Sequence, residues 1–360
     1  MRHHTRLTDL LNIQYPIMSA GMAGIAGPKL VAAVSNAGGI GTLGAIGMSP
    51  SELRRCIQDT KALLNPERPF GVDLLLPKIG SGARATNHDY TKGQLGALLE
   101  VMIEEDINLF VCAVGVPPKW AVEKLHQHQI LVMNMVGSPK HVKYCIDAGV
   151  DIICAQGTEA GGHTGDISTM VLIPQVVDLC QNTNIIVVGA GGIFDGRGLA
   201  ACMALGADGV WVGSRFIMAE EANAWPSHQL AIQKARSSDT IRTEIYTGRP
   251  ARTLNNDYIQ EWESDRYQEK VALLKSGTVP WFHDTQNGRL PASAPSPIPK
   301  GYHTINQNEI DPNLHDHSIM PVGQVCGPLQ KVLPAQTIIE NMMQDFLSSL
   351  SRLGLNTTET

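Results

Sequence analysis

No two of the seven cysteines are spaced Cys-x-x-Cys; they stand singly at positions 56, 112, 145, 154, 180, 202 and 326. An odd, scattered set makes no disulfide framework and reads as small core residues in a reducing compartment. Basic runs are missing too. Lys and Arg number 28 against 34 Asp and Glu, a net charge of −6, so nucleic acid is not an expected partner. No apolar run approaches a membrane span, and the N-terminus Met1-Arg-His-His-Thr5 lacks a long apolar region for secretion. A cytoplasmic protein without membrane contact is therefore expected. Charged residues are only 17% of the chain against 43% hydrophobic, which excludes extensive disorder and supplies a substantial core.

Glycine, by contrast, is plentiful, with 35 residues clustered where apolar runs end. Eight such runs, rich in Val, Ile or Leu or bounded by glycine, read as strands. They are Tyr15–Met18, Gly39–Leu43, Phe70–Leu75, Leu109–Val114, Ile130–Val136, Asp151–Ala155, Ile185–Val188 and Gly209–Val212. Segments between them have helical character: in 94–105, Leu95, Leu98, Leu99, Met102 and Ile103 share one helical face. Asn36-Ala-Gly38, Asp147-Ala-Gly149 and Ala204-Leu-Gly206 each set a glycine just past a helix, and Ser49-Pro50 and Ser138-Pro139 mark helix starts. Eight strands alternating with helices fit a (β/α)8 TIM barrel better than an open doubly wound sheet.

The expected organisation is a barrel over 1–236, an irregular or helical lid-like segment over 237–321, and a C-terminal stretch, 322–360, whose helix packs back on the barrel. The middle segment holds Pro291-Ala-Ser-Ala-Pro-Ser-Pro-Ile-Pro299, a candidate for subunit contact in a homo-oligomer as much as for covering a site. From Ala335 to Leu350, Ile339, Met342, Met343, Phe346, Leu347 and Leu350 make one helical face.

The chemistry concentrates at strand ends. The sixth run leads into Gln156-Gly-Thr-Glu-Ala-Gly-Gly-His163: glycines admit a ligand close to backbone, and an imidazole follows that can move a proton near neutral pH. The seventh ends in Gly191-Gly192 and the eighth in Gly213-Ser214. In a barrel these two loops are neighbours and commonly cradle phosphate. The first ends in Ser19-Ala-Gly-Met-Ala-Gly24, a small-residue edge for a flat ring. FMN satisfies all three features, whereas a phosphosugar needs only the cradle.

Together, Ala20-Gly-Met-Ala23, the block ending at His163, Gly191-Gly-Ile-Phe-Asp-Gly-Arg-Gly198 and Gly213-Ser-Arg-Phe216 resemble the nitronate monooxygenase family, formerly 2-nitropropane dioxygenases. These are FMN-dependent (β/α)8 barrels. The resemblance covers about residues 9–220, with a weaker echo at Gly323-Gln324. It implies that His163 is the catalytic base and that Gly191, Gly192, Gly213 and Ser214 hold the FMN phosphate. It also implies that Gly21, Met22 and Ala23 lie against the flavin ring, with Gln156, Gly161 and Asn134 lining it. Three positions depart from the pattern: Asp73 stands where many members have Asn, Ser214 replaces a common Thr, and Asn134 replaces a Lys of some members. A carboxylate at 73 opposes negative charge on a reduced flavin unless it is protonated or paired.

The implied activity is oxidation of alkyl nitronates, with neutral nitroalkanes as a further class, by dioxygen to a carbonyl compound and nitrite. The alternative is an FMN-dependent NAD(P)H reductase acting on an enoyl-thioester or a quinone. A non-catalytic flavin-binding protein is a third reading, disfavoured by His163. Glu159 and Asp166 read as solvated loop carboxylates, His315-Asp316-His317 lacks a cysteine partner for a metal, and Arg249 and Arg252 either reach an anionic substrate or pair with surface acids.

Overall fold

The hydrophobic runs form eight parallel strands, and the computed structural model, which describes residues 4–290, 296–297 and 317–355, wraps them into a (β/α)8 barrel. The strands are β1 (Ile17–Ser19), β2 (Gly41–Gly44), β3 (Phe70–Leu75), β4 (Leu109–Ala113), β5 (Leu131–Val136), β6 (Ile152–Gln156), β7 (Ile186–Ala190) and β8 (Gly209–Val212). Each pairs in parallel with its neighbour, and β8 pairs with β1. The ring closes between β1 and β2: Met18 bridges Ile40, and the Ser19 N–H donates to the Ile40 carbonyl at 2.9 Å.

Alternation along the strands makes two apolar layers. Inward side chains such as Met18, Ile40, Val111, Met133, Cys154 and Val188 fill the barrel, joined by Leu7 and Leu11 of α1 (Arg6–Leu11). Outward ones pack under α2 (Pro28–Asn36), α3 (Pro50–Leu63), α4 (Leu95–Glu104), α5 (Lys119–Gln127), α6 (Val142–Ala148), α7 (Thr169–Cys180) and α8 (Gly196–Ala204). All seven cysteines are buried and free. Helix α3 begins as expected: the Ser49 N–H donates to the Glu52 carboxylate at 2.8 Å, and Glu52 N–H returns a bond to Ser49 Oγ. Among the described residues no helix is long and apolar enough to cross a membrane.

The eighth barrel helix does not follow β8 directly. After the short α9 (Ser214–Ile217), the chain leaves the barrel and returns as α14 (Ala335–Arg352), which fills the gap between α8 and α2. The excursion starts and ends at one point. Leu333 N–H donates to the Met218 carbonyl (3.1 Å), and Glu220 N–H donates to the Leu333 carbonyl (3.0 Å). Ile339, Met342, Met343 and Phe346 are buried, the face expected from their spacing. Helices α8 and α14 meet backbone to backbone at Gly196, where a Cβ would lie 2.0 Å from the Met342 carbonyl oxygen. Gly196→Ala is therefore expected to force the helices apart and lower stability by about 1–3 kcal/mol. Urea unfolding of the two proteins measures it, and equal midpoints would contradict the contact.

Within the excursion lie α10 (Pro226–Lys234), β9 (Thr240–Thr243), β10 (Ala251–Leu254), α11 (Asp257–Glu263), α12 (Tyr267–Lys275) and α13 (Pro280–Gln286). Over 237–290 the segment expected to be irregular or helical is thus mostly helical, with one antiparallel strand pair. Its small core joins Ile245, Tyr246, Tyr258, Ile259, Trp262 and Trp281, which are too widely spaced for any short window to reveal. Beneath it Asp284, 1% exposed, receives two guanidinium bonds from Arg266 (2.7 and 2.9 Å), one from Tyr258 Oη and one from Trp262 Nε1 (both 3.2 Å). The guanidinium also lies 3.4 Å from the Trp262 ring centroid. Of the proline-rich stretch only Ser296 and Pro297 are described; the rest, with His315 and Asp316, lies outside the described residues.

Candidate active site

The C-terminal ends of the strands surround a cavity of about 1380 Å³. Every residue expected to act as base or to hold the cofactor lines it: Gly21, Met22, Ala23, Asp73, Asn134, Gln156, Gly161, His163, Gly191, Gly192, Gly213 and Ser214. The loops after β7 and β8 meet as expected. Gly191 and Gly192 take φ values of 95° and 74°, the left-handed region that glycine adopts without strain. Gly323 joins them, its N–H donating to Ser214 Oγ at 2.8 Å. A Cβ on Gly323 would stand 2.6 Å from the Glu159 carbonyl oxygen, so the returning chain passes backbone against backbone over the loop after β6. The Gly323-Gln324 echo is thereby placed at the same cradle.

His163 is fixed by the excursion. It forms with Gly162 a two-residue strand that pairs antiparallel with β10, His163 opposite Ala251. Its carbonyl accepts from Gln156 Nε2 at 2.6 Å, and its Nε2 lies 3.0 Å from Thr247 Oγ1. Thr247 Oγ1 is also 3.3 Å from the Arg249 carbonyl. A carbonyl only accepts, so both contacts are satisfied together when Thr247 gives its proton to Arg249 and accepts from an Nε2–H. That tautomer leaves Nδ1 as the basic nitrogen. Burial, then the nearby Arg249 charge, pushes the His163 pKa down to about 4, which keeps the ring neutral at pH 7. No local sequence signal marks Thr247; only the pairing of β10 with the Gly162–His163 strand reveals it.

Asp73 projects into the barrel from β3 and is 5% exposed. A Cβ on Gly21 would lie 2.4 Å from the Asp73 Cβ, so the loop after β1 rests directly on this side chain. Asp73 Oδ1 is buried without a hydrogen-bond partner among the described residues, and burial pushes the carboxyl well above the usual carboxylate range. Asn134 is placed differently. Its Nδ2 donates to the Met135 carbonyl (3.1 Å) and reaches Cys145 Sγ on α6 (3.3 Å), so the amide nitrogen is committed to the helix side. Met135, next along β5, packs with the barrel interior.

The neighbouring charges sort cleanly. Glu159 is not a free carboxylate: it accepts from Thr169 N–H (3.0 Å) and Thr169 Oγ1 (2.7 Å) at the start of α7. Asp166 pairs with Arg242 at 2.6 Å. Arg252 is a strut, donating to the Thr158 carbonyl and Thr240 Oγ1. Arg249 alone of the two arginines lines the cavity, its Nε donating to Asn87 Oδ1 at 3.0 Å. His317 meets the Tyr258 ring at a tilt of 50°, with centroids 5.5 Å apart.

With this geometry in hand, similarity to known proteins is specific. A family model described as "Nitronate monooxygenase" matches residues 4–345. A Staphylococcus saprophyticus protein named "Probable nitronate monooxygenase" is 36% identical over 303 residues, covering 75% of this chain and 83% of its own. A (3aS,4S,5R,7aS)-5-hydroxy-7a-methyl-1-oxo-octahydro-1H-indene-4-carboxyl-CoA dehydrogenase of Mycobacterium tuberculosis is 34% identical over 370 residues, covering 97% and 98%. Among solved structures, nitroalkane oxidase from Streptomyces ansochromogenes is similar with a TM-score of 0.76 at 25% identity, over 97% of this chain and 100% of that one.

Proposed function

The chain belongs to the nitronate monooxygenase family, and from that premise we propose that it is an FMN-dependent enzyme oxidising alkyl nitronates, and neutral nitroalkanes after proton removal, with dioxygen. The observation that carries the reading is the meeting of His163 with the glycine loops after β7 and β8 in one cavity. Two features fit FMN. The backbone-rich cradle of Gly191, Gly192, Gly213 and Ser214 suits a phosphate, and Ser214 keeps its O–H to donate after accepting from Gly323. The partnerless Asp73 Oδ1 beside Gly21 suits a polar ring edge. On this reading Gly21, Met22, Ala23, Gln156 and Gly161 complete the wall on the ring side, and on β5 Met135 takes the inward place beside Asn134. On the same reading the barrel with α14 binds the cofactor, and the excursion gripped between Met218 and Leu333 covers it. When bound, FMN supplies the acceptor for the nitronate's electrons and their route to dioxygen, with a carbonyl compound and nitrite as products.

The protein's own work is proton transfer and charge placement. His163, neutral at pH 7, takes the proton beside the nitro group through Nδ1, while Thr247 holds the ring and Arg249 favours the anion that forms. A preformed nitronate skips this step. Burial raises the Asp73 pKa, with no cation paired to it among the described residues, which favours the protonated acid, a form that donates a hydrogen bond as the amide of Asn does. The expected result is that Asp73→Asn binds FMN within a few-fold of the natural protein near pH 7. FMN affinity should then weaken with rising pH only in the natural protein, as Asp73 ionises. Flavin fluorescence titration from pH 6 to 10 reads this, and parallel pH profiles would refute a neutral Asp73.

The reading is tested by adding propyl nitronate to the purified protein without oxygen while following the flavin absorbance. Bleaching of the bands supports it. A yellow protein left unchanged by nitronate but bleached by NADPH would favour the second reading, a reductase working on a thioester. The carboxyl-CoA dehydrogenase of M. tuberculosis is the observation behind that second reading. A colourless protein that does not take up FMN would sink both.

A further inference from the structure

We infer that the mouth of the cavity carries a second binding site, one that takes the diphosphate tail of a nucleotide-linked substrate or co-substrate. Arg84, Lys140, Arg242 and Arg249 line the cavity. Arg242 is held by Asp166, and Arg84 pairs with Glu244 at 2.9 Å. Lys140 makes no ion pair among the described residues, and Arg249 is held only by the neutral Asn87. No acid of the lining pairs with Lys140 or Arg249: Asp73 is buried beside Gly21, Glu159 binds the start of α7, and Asp166 binds Arg242.

Arg84, Lys140 and Arg249 come from three separate places, the connections after β3, after β5 and between β9 and β10. They are nonetheless within electrostatic reach of one another. After burial, Lys140 and Arg249 both push the His141 pKa down, and after burial Arg84 does the same to Arg249. Such mutual repulsion is relieved by a bound anion. Arg84 and Lys140 are exposed whereas Arg249 is half-buried, so the charge runs from the rim inward toward His163.

A small, singly charged nitronate at His163 needs one cation at most, and Arg249 is the one beside it. Cations at the rim from two further loops match several anionic oxygens spread along a chain, the pattern of a diphosphate. The cavity of about 1380 Å³ exceeds the roughly 300–1,000 Å³ of an ordinary single-ligand pocket, which leaves room for a tail beside a cofactor. This site does not depend on nitronate chemistry, only on what the mouth holds.

Two kinds of molecule carry such a tail, coenzyme A thioesters and nicotinamide dinucleotides. Calorimetry of the FMN-loaded protein at low salt, with ADP, coenzyme A and NADPH as probes, tests the site and names its source. ADP should bind, and its affinity should fall as salt rises. Whichever larger probe belongs to the site should bind at least about tenfold more tightly than ADP. Lys140→Glu and Arg84→Glu, both exposed and harmless to the core, should each weaken binding roughly tenfold, and Lys140→Arg should restore it. Tighter coenzyme A assigns a thioester substrate, and tighter NADPH assigns a reducing co-substrate. The proposal is overturned if none of the three probes binds, or if binding ignores both charge reversals. Failure of nitronate to bleach the flavin would leave this binding result standing.

Discussion

Replacing His163 with Asn should lower turnover of neutral nitroalkanes by roughly 100- to 10,000-fold, the range a positioned general base contributes. Turnover of preformed nitronates should stay within a few-fold. Asparagine retains a polar side chain near Thr247 but has no basic nitrogen, so the loss isolates proton removal from the rest of the site. The pH dependence follows the same logic. Only the neutral ring accepts a proton, and burial with Arg249 places the His163 pKa at about 4, so nitroalkane turnover should be present above that value and lost as pH falls through it. An imidazole at its ordinary pKa of about 6.5 would instead lose activity about 2.5 pH units higher. Steady-state assays on a nitroalkane and its nitronate, both with FMN content measured, decide the matter. Equal losses on the two substrates would remove His163 from the role of base.

The second large effect concerns stability. Asp284→Ala should destabilise the excursion by about 3–5 kcal/mol, because it strands a buried guanidinium that had two bonds to one carboxylate. Glu269, which also binds Arg266, softens the loss without replacing a fully buried partner. Burial alone would raise the Asp284 pKa. The hydrogen bonds and charge of Arg266, aided by His283 and Tyr258, more than offset it and leave the carboxyl below its usual range. A depressed carboxyl pKa gives stability that is present above the unfolded value near 3.9 and lost as pH falls through the folded one. The natural protein should therefore lose stability in acid more steeply than the Ala variant. Because Tyr246 packs in the same small core and precedes Thr247, loosening it should also blur the position of His163. Thermal unfolding across acidic pH, together with nitroalkane turnover, reads both consequences.

How much of this was legible in the chain depends on how local each signal is. Runs such as Ile185–Val188 and Gly209–Val212 are strands buried on both faces, and continuous apolar character next to glycine marks them. The capping box at Ser49 and the glycine after α6 are likewise local. The candidate site was legible because its parts sit at strand ends, where barrel geometry gathers them. What escaped was long-range. The partner of His163 is Thr247, and the supports of the cover are Trp262, Asp284 and Arg266, joined across sequence distances that no periodicity spans. Asn134 exposes a subtler limit: period-two alternation along β5 gives the inward place to Met135, and a reading by position alone does not resolve which neighbour faces the ring.

The hydrogen-bonded meeting of Met218 with Leu333 makes the whole excursion a hoop gripped at its base. A hoop of this kind is separable in the engineering sense. New chain ends opened at its tip, or another hoop grafted between the same two anchors, would leave β8 and α14 where they are. Closing a longer or shorter loop between fixed ends changes the entropy only logarithmically. Substrate preference can therefore be rewritten in the hoop, one graft at a time, wherever the graft keeps Thr247, Arg249, Ala251 and Gly323 in place, without asking the barrel to refold around each new version.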